Sequence, residues 1–366
     1  MRITAVYRVF CSREEISRKA AALAVEQSVE MPVEAIADDW VRDEIVGRVG
    51  AITDGGDGSF RVEISLSAAT AGDDPGQLLN VLFGNSSIHA DVSLEDVELP
   101  PQLLAAFGGP RSGIAGLRQR VGRARHPLTC AAIKPQGFSP AALADLTFRF
   151  TLGGIDFIKD DHALADQPFA PFRERISACA AALRRATAET GHPTRYAPNL
   201  SGNLDQLRQQ AAFARGEGLD TALISPMIVG LPAFYAVRRE NPDIAFMAHP
   251  ALAGAVRIAP PLLLGKLFRL FGADAVIFPH HGGRFGYSPA TCAAIAGNAR
   301  GPFGALAPAT PVPAGGMTLD RLPEILKFYG QDLMILIGGG LLAAGDRLTE
   351  QTASFVAQVE GLSVES

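Results

Sequence analysis

Four charged or ionisable residues follow an apolar segment in the stretch GGIDFIKDDHAL, residues 153–164. They are Lys159, Asp160, Asp161 and His162. If the segment is a strand, Lys159 and Asp161 point to one face and Asp160 to the other, because side chains alternate. A lysine beside a carboxylate there is either an ion pair or part of a site in which a modification or a metal uses both charges. Oxygen ligands around one point suit Mg²⁺, which could polarise a carbonyl group and stabilise an enolate.

Lysine is rare in this chain, so each lysine is informative. Of the 33 basic residues only five are lysines, and the rest are arginines. Lysine can lose its proton and act as a base or nucleophile, whereas arginine stays charged. Lys134 follows the apolar run at residues 128–133. We expect Lys134 to transfer a proton if burial lowers its pKa; the alternative is a solvated strand end.

A regular alternation of apolar runs and amphipathic, helix-like stretches begins at about residue 127. Eight βα units in about 240 residues predict an α/β fold, a (β/α)8 TIM barrel. An open doubly wound sheet is the alternative, because the pattern does not give the order of the strands. The eight runs are LTCAAIKPQG, GGIDFIKDD, TRYAPNLSG, TALISPMIVG, IAFMAHPA, DAVIFPHHGG, GALAPATPVPAGGM and LMILIGGG.

The N-terminal part of the chain has a different pattern. The β-branched and aromatic residues predict strands at ITAVYRVFC and FRVEISLSA. They also predict an extended segment at SSIHADVSLEDVELP. REEISRKAAALAVEQS and GQLLNVLFGN read as helices. These segments predict a small α+β domain with a mixed or antiparallel sheet. We place this domain at residues 1–118 and the barrel at residues 119–366.

In a barrel of this kind the active site lies at the end of the barrel where the strands reach their carboxyl ends, here called the mouth. Glycine stretches after the seventh and eighth runs are typical of a phosphate cradle, although a tight turn is the alternative. Histidines at strand ends are either site residues or hydrogen-bonded structural residues. Dinucleotide and Walker motifs are absent, so we expect neither NAD nor ATP. The residues at the predicted mouth are Lys134, Lys159, Asp160, Asp161, His162, Asn199, Ser201, His249, His280, His281, Gly315, Gly316, Gly338, Gly339 and Gly340.

The composition excludes several classes of protein. The net charge of −5 does not indicate the basic surface that nucleic-acid binding requires. Four cysteines lie far apart without a CxxC motif, which is typical of reduced thiols in the cytosol. We find no signal peptide and no apolar stretch of membrane-spanning length. We therefore expect a cytoplasmic protein that binds neither nucleic acid nor membranes.

Several motifs resemble those of the large subunit of RuBisCO. AAIKPQGFS and GGIDFIKDD are similar to the motifs of its first two barrel strands, and PAGGMTLDRLPEILKFYGQDLMILIGGG is similar to its phosphate-binding end. LFGNSSIHADVSLEDVELP and VEQSVEMP resemble segments of its N-terminal domain. The resemblance covers most of the chain in collinear order.

The resemblance implies a ferredoxin-like N-terminal domain, a barrel, and a homodimer with shared active sites. It implies that Lys159 carries CO2 as a carbamate and binds Mg²⁺ with Asp161. It also implies that Lys134 is the acid/base lysine and that His249 lies near the substrate. Phosphate binding is implied for Gly315, Gly316, Gly338, Gly339 and Gly340. Substrate contacts across the dimer are implied for Asn85 and Glu26.

The chain also departs from the carboxylases. His162 stands where they carry glutamate, which alters the metal sphere and makes His162 a candidate ligand. Gln136 replaces a second lysine, Pro250 a phosphate-binding arginine and Ala314 a serine. A mobile lysine after the sixth strand is missing, and Arg284 is no assured substitute. The chain therefore resembles a RuBisCO-like protein and not a carboxylase.

RuBisCO-like proteins enolise a substrate without fixing CO2. We therefore predict a Mg²⁺-dependent isomerase in methionine salvage, acting on 5-methylthioribulose 1-phosphate or a related phosphorylated sugar by 1,3-proton transfer. A second proton transfer is assigned to His162, His249 or His281. The alternatives are a 2,3-diketo-5-methylthiopentyl-1-phosphate enolase, a decarboxylase of a phosphorylated 3-oxo sugar acid, and a non-catalytic regulatory relative.

Overall fold

The computed structural model describes residues 1–364 and divides into two compact units. The first comprises residues 1–108, 253–263 and 303–306, and the second comprises the remaining segments from residue 109 onward. Among the helices of residues 1–364, none combines the length and the apolar character that crossing a membrane requires.

The first unit contains a four-stranded antiparallel sheet in the order β2-β3-β1-β4. The register of β1 with β3 runs from Arg2 opposite Ser67 to Phe10 opposite Ser59. The strands are β1 (Arg2–Phe10), β2 (Arg48–Asp54), β3 (Ser59–Ser67) and β4 (Val92–Glu98), and the helices are α1 (Ile16–Glu26), α2 (Pro75–Phe83) and α3 (Pro101–Phe107). The predicted antiparallel sheet domain is confirmed, but β2 was missed.

The second unit contains a parallel barrel, as predicted. Its strands are β5 (Leu128–Ile133), β6 (Phe157–Asp160), β7 (Arg195–Ala197), β8 (Asn199–Leu200), β9 (Thr221–Ile224), β10 (Ala245–Ala248), β11 (Ala275–Pro279), β12 (Thr310–Ala314) and β13 (Met334–Leu336). Pro198 separates β7 from β8, which together form the third barrel strand. β13, the last strand, pairs in parallel with β5, the first. Pairing of the last strand with the first is the arrangement of a closed barrel, whereas in the doubly wound order the first strand lies between the second and the fourth.

One helix precedes the first barrel strand, and the other helices of this unit lie between or after the strands along the chain. They are α4 (Gly113–Arg120), α5 (Pro140–Leu152), α6 (Phe172–Thr190), α7 (Leu204–Gly216), α8 (Pro226–Val229), α9 (Leu231–Glu240), α10 (Phe268–Leu270), α11 (Pro289–Arg300), α12 (Leu322–Tyr329), α13 (Gly339–Leu342) and α14 (Leu348–Val364). π-helical turns span Val41–Ile45 and Pro261–Leu267. The predicted domain division between residues 118 and 119 falls inside α4, a helix of the second unit.

A core of apolar side chains fills the barrel. Its members include Cys130, Phe157, Met247, Ile277 and Val312, all almost fully buried. Side chains alternate along each strand, so the residues two positions beyond these point to the same interior space nearer the mouth. The next residue on the same face as Phe157 is therefore Lys159.

Asp156, at the opposite end of the barrel, fixes the starts of the first two strands. Its carboxylate accepts hydrogen bonds from the main-chain N–H of Thr129 at 2.8 Å and from the Thr129 hydroxyl at 2.9 Å. Arg123 Nε donates to the other oxygen at 2.9 Å. His192 Nε2 lies 3.4 Å from Asp156 without the alignment of a hydrogen bond. Burial raises the pKa of Asp156, but these polar and charged neighbours outweigh burial and lower the pKa below its ordinary value.

Candidate functional site

The residues that end the first two barrel strands meet at one place. β5 and β6 pair with Ala132 opposite Lys159, so Lys134 and Asp161 are adjacent when the strands end. The Lys134 ammonium group contacts the Asp161 carboxylate. Lys159 is 3% exposed, and its Nζ donates to the main-chain oxygen of Asp160 at 2.9 Å. Sequence reasoning predicted this convergence of two lysines and an aspartate from the strand pattern.

Burial favours the neutral form of both Lys159 and Asp161, but only at Lys159 does burial outweigh the other effects. Burial lowers the pKa of Lys159, which favours the neutral amine, although nearby Asp161 acts against this effect. Burial raises the pKa of the Asp161 carboxyl, but hydrogen bonds from His162, Lys134 and a main-chain N–H hold that pKa well below its usual range. Asp161 therefore stays ionised. A neutral amine is the form of lysine that attacks CO2 to give a carbamate.

Two histidines stack beside this carboxylate. The rings of His162 and His249 lie 4.1 Å apart between centroids and are tilted by only 10°. His162 Nδ1 is 3.2 Å from Asp161 Oδ1. His249 Nδ1 accepts a hydrogen bond from the main-chain N–H of Ala251 at 3.2 Å, which assigns the proton of the neutral ring to Nε2. Burial lowers the pKa of His249 to about 2. His249 can therefore donate a hydrogen bond as a neutral imidazole.

Asp160 points away from the barrel interior, as its place in the alternation predicts, and it organises a buried network. Its carboxylate accepts hydrogen bonds from Tyr196 Oη at 2.5 Å, from the main-chain N–H of Asn199 at 2.9 Å and from Arg175 Nε at 3.2 Å. The side chains of Asp160 and Arg175 are fully buried. Sequence reasoning missed Arg175 and Tyr196, because an arginine on an amphipathic helix gives no sign that it turns inward.

A second pair of histidines follows β11. His280 is fully buried, its Nδ1 lies 2.9 Å from Tyr329 Oη, and Arg321 Nη2 lies 3.2 Å from its Nε2. Burial lowers the pKa of His280 to about 4. His281 is partly exposed, and its buried Nε2 has no hydrogen-bond partner among residues 1–364. His280 is thus a structural residue, whereas the buried Nε2 of His281 lacks a hydrogen-bond partner among the described residues.

His280, His281 and Glu324 together place three ligand-type atoms within 4.8 Å of one another. Arg321 makes this set a poor metal site, since Arg321 Nη2 lies 3.0 Å from Glu324 Oε1 and 3.2 Å from His280 Nε2. The guanidinium group already supplies the positive charge there. Sequence reasoning missed Arg321, although it lies inside the stretch similar to the phosphate-binding end of RuBisCO.

The glycines after β12 and β13 lie beside the other loops of the mouth. Gly315 and Gly316 have φ angles of +90° and +82°, which residues other than glycine rarely adopt. A Cβ at Gly315 would also lie 3.3 Å from the ring of Phe285. A Cβ at Gly338 would lie 3.8 Å from Lys134 Cε, so the end of β13 adjoins the proposed acid/base lysine. Gly338 precedes α13, which begins with Gly339 and Gly340.

The two candidate residues of the first unit lie side by side. Asn85 Nδ2 donates to Glu26 Oε1 at 3.1 Å, and this contact is exposed. The two segments VEQSVEMP and LFGNSSIHADVSLEDVELP were matched separately, and the fold of the first unit brings them together. Their contact with substrate across a dimer stays a prediction.

The residues at the mouth fit a magnesium ion held by few protein ligands. Mg²⁺ prefers oxygen and commonly binds one or two carboxylates with water and substrate completing its sphere. Asp161 supplies one ionised carboxylate, and a carbamate on the buried Lys159 would supply a second anionic group. His162 is the weaker third donor because imidazole nitrogen suits Mg²⁺ less well than oxygen.

An antiparallel-sheet unit followed by a parallel barrel, with a Lys–Asp cluster where the first two strands end, defines the architecture of the RuBisCO large chain. The family model described as "Ribulose bisphosphate carboxylase large chain, catalytic domain" matches residues 113–353. The chain belongs to this family, within its RuBisCO-like members.

Relatives of nearly the same length support this assignment. The chain is 58% identical over 361 residues to 5-methylthioribulose-1-phosphate isomerase of Rhodospirillum rubrum, covering 98% of this chain and 96% of the relative. It is 56% identical over 358 residues to ribulose bisphosphate carboxylase-like protein 1 of Rhodopseudomonas palustris, covering 98% and 97%. The crystal structure of a Rubisco-like protein from Rhodopseudomonas palustris has a TM-score of 0.92 at 53% identity, covering 98% of this chain and 97% of that chain. The predicted family and fold are confirmed.

Proposed function

We propose that the protein is an isomerase of 5-methylthioribulose 1-phosphate that moves a proton within the substrate and does not fix CO2. The observation that carries this proposal is the contact between Lys134 and Asp161 beside the buried amine of Lys159. An enolising enzyme needs a base next to groups that can stabilise the negative charge of an enediolate. The 58% identity to an isomerase of that name supports this substrate over others.

Lys134 is the proposed acid/base residue. Its side chain is 36% exposed, so a substrate can reach its Nζ, and its contact with Asp161 orients that atom. As the free amine it would take a proton from a carbon next to the substrate carbonyl. The resulting ammonium would return a proton to the enediolate at another carbon. The net reaction is an isomerisation, since no atom is gained or lost.

We propose that a carbamate on Lys159 and the Asp161 carboxylate hold Mg²⁺, with His162 as a neighbouring donor. When bound, the ion would supply a positive charge that stabilises the negative oxygens of the enediolate. Burial of Lys159 supports the carbamate, because the lowered pKa of its amine favours the neutral, reactive form.

His249 and His281 are proposed to contact substrate oxygens. His249 is neutral and offers Nε2–H, so it would act as a hydrogen-bond donor to a developing oxyanion. His281, in the segment that follows β11, has an Nε2 atom without a hydrogen-bond partner among the described residues. Neither role requires a histidine cation.

The phosphate is proposed to bind the backbone N–H groups of the two glycine stretches. The left-handed conformations at Gly315 and Gly316 and the absence of side chains leave the main chain accessible. We also propose that Asn85 and Glu26 complete the site of a second subunit in a homodimer. Their mutual hydrogen bond supports a joint role.

Deuterium exchange tests the proposed role of Lys134. Substrate incubated in D2O with the wild-type protein should lose the proton next to its carbonyl, as followed by ¹H NMR. Lys134→Met should lower the exchange rate by about 10² to 10⁴ fold, the usual contribution of a positioned acid/base group. Lys327→Met is the matched control, because Lys327 is exposed on α12. Full exchange in Lys134→Met would refute the assignment.

A further inference from the structure

We infer that Asn199 is a positioning residue, whose amide holds the backbone that carries Asp161 and His162 in place. The inference rests on the proposed function of that site. Asn199 begins β8, directly after Pro198, and is 2% exposed. Its Nδ2 donates to the main-chain oxygens of His162 at 3.0 Å and of Leu164 at 2.8 Å. Both acceptors lie in the segment that follows β6.

Asn199 also holds the other side of Asp161. Its main-chain N–H donates to Asp160 Oδ2 at 2.9 Å. The main-chain oxygen of Asp160 in turn accepts the hydrogen bond of Lys159 Nζ at 2.9 Å. Asn199 therefore binds the side chain of the residue before Asp161 and the backbone of the segment after it, so we infer that the direction of the Asp161 carboxylate depends on Asn199.

The chemistry of the amide explains why asparagine is suited to this position. Only the NH2 group can donate to two carbonyl oxygens, and a flipped amide would set its own oxygen against both. Asn199 Oδ1 has no hydrogen-bond partner among residues 1–364, so the donor bonds fix the orientation. An aspartate has the same shape but no donor, and it would repel both carbonyls.

Buried side chains hold Asp160 and the segment that follows β6 in place. Asp160 is held by the buried side chains of Tyr196 and Arg175. Arg175 Nη1 also donates to the main-chain oxygens of Ala165 at 2.7 Å and Ala170 at 2.8 Å. The chain between β6 and α6 has no helix or strand of its own, so these side-chain bonds to its carbonyls replace regular structure in fixing its path.

The test compares Asn199→Ala with Asn241→Ala. Asn241 is a matched control because it is 6% exposed and its Nδ2 donates to the main-chain oxygen of Val237 at 2.7 Å on α9. We expect Asn199→Ala to lower kcat for the proposed isomerisation by about 10² fold, the effect of a displacement near 1 Å. KM should change by no more than about threefold, because the phosphate contacts are kept. Asn241→Ala should lower thermal stability without this loss of kcat.

A second readout needs no substrate. The stacked rings of His162 and His249 shift each other's Cε1 proton resonances, which ¹³C-labelled histidine resolves by NMR. Asn199→Ala should change both resonances, and Asn241→Ala should leave them in place. If Asn199→Ala does not fold, Asn199→Ser, which keeps one donor, should show a smaller loss of kcat and a smaller change in the resonances.

Wild-type kcat and unchanged resonances in a folded Asn199 variant would overturn the inference. Equal losses of kcat in Asn199→Ala and Asn241→Ala would overturn it as well, since that result indicates general destabilisation. Failure of the proposed function is distinguishable, because the wild-type protein would then be inactive while the resonances still report on the position of His162.

Discussion

Replacement of Asp161 by asparagine separates the chemistry of the site from the stability of the barrel. Asp161→Asn keeps the size of the side chain and an oxygen for the Ala163 N–H, now 2.9 Å away. It removes the charge that faces Lys134. The Asp161 side chain is 9% exposed, but that of Lys134 is 36% exposed, so water screens the pair. We expect a loss of about 1 kcal/mol in the free energy of unfolding.

The expected effect on activity is far larger. Asp161 orients the Nζ of Lys134 and is one of two proposed oxygen ligands for Mg²⁺. An uncharged amide binds Mg²⁺ less strongly and does not hold the ammonium group in the same way. We therefore expect the rate of substrate proton exchange to fall by about 10² fold or more, while the melting temperature falls by only about 2 to 4 °C.

The assay combines ¹H NMR exchange in D2O with thermal unfolding. Asp332→Asn is the matched control, because Asp332 Oδ1 pairs with Arg118 Nη1 at 2.8 Å near the start of β13, at the other end of the barrel. This control should lose comparable stability and exchange at the wild-type rate. A wild-type exchange rate in a folded Asp161→Asn protein would refute the reasoning.

Two further predictions concern stability. Asp156→Asn should lower the free energy of unfolding at pH 7 by about 2 kcal/mol, because an amide cannot accept hydrogen bonds from both Arg123 Nε and Thr129, although Glu360 still pairs with Arg123. The folded-state pKa of Asp156 is lowered, so its contribution is present above the unfolded pKa and is lost as pH falls through the folded value. Urea denaturation from pH 7 to pH 3 should show the difference from wild type shrinking; a constant difference would contradict this. Mg²⁺ with bicarbonate should raise the melting temperature of the wild type. Lys159→Met should abolish that rise, and an equal rise in both proteins would contradict the carbamate site.

Much of the barrel was predictable because its strands are buried on both faces. Such strands form continuous apolar runs, and the residues after each run lie at a single mouth. β2 was missed because all seven of its residues are exposed, so the strand carries no hydrophobic alternation. The chain between the end of β6 and the start of α6 at Phe172 forms neither a helix nor a strand. The intervening chain is held by side chains from elsewhere in the barrel, and that support has no local signal.

The candidate site divides in the same way. Lys134, Lys159 and Asp161 were predictable because alternation puts Lys159 and Asp161 on one face and because the ends of barrel strands lie at one mouth. The bonds of Asn199 and Arg175 to main-chain oxygens were not predictable, since any residue can offer a carbonyl acceptor. Likewise Arg321 reaches His280 from a different loop, a contact that depends on the three-dimensional path of both loops.

The proposed reaction isomerises the substrate by proton transfer without adding carbon. Its most direct test is NMR of 5-methylthioribulose 1-phosphate incubated with the wild-type protein in D2O containing Mg²⁺ and ¹³C-bicarbonate. We expect an isomeric sugar phosphate that carries solvent deuterium and no ¹³C. A product labelled with ¹³C, or complete recovery of undeuterated substrate, would contradict it.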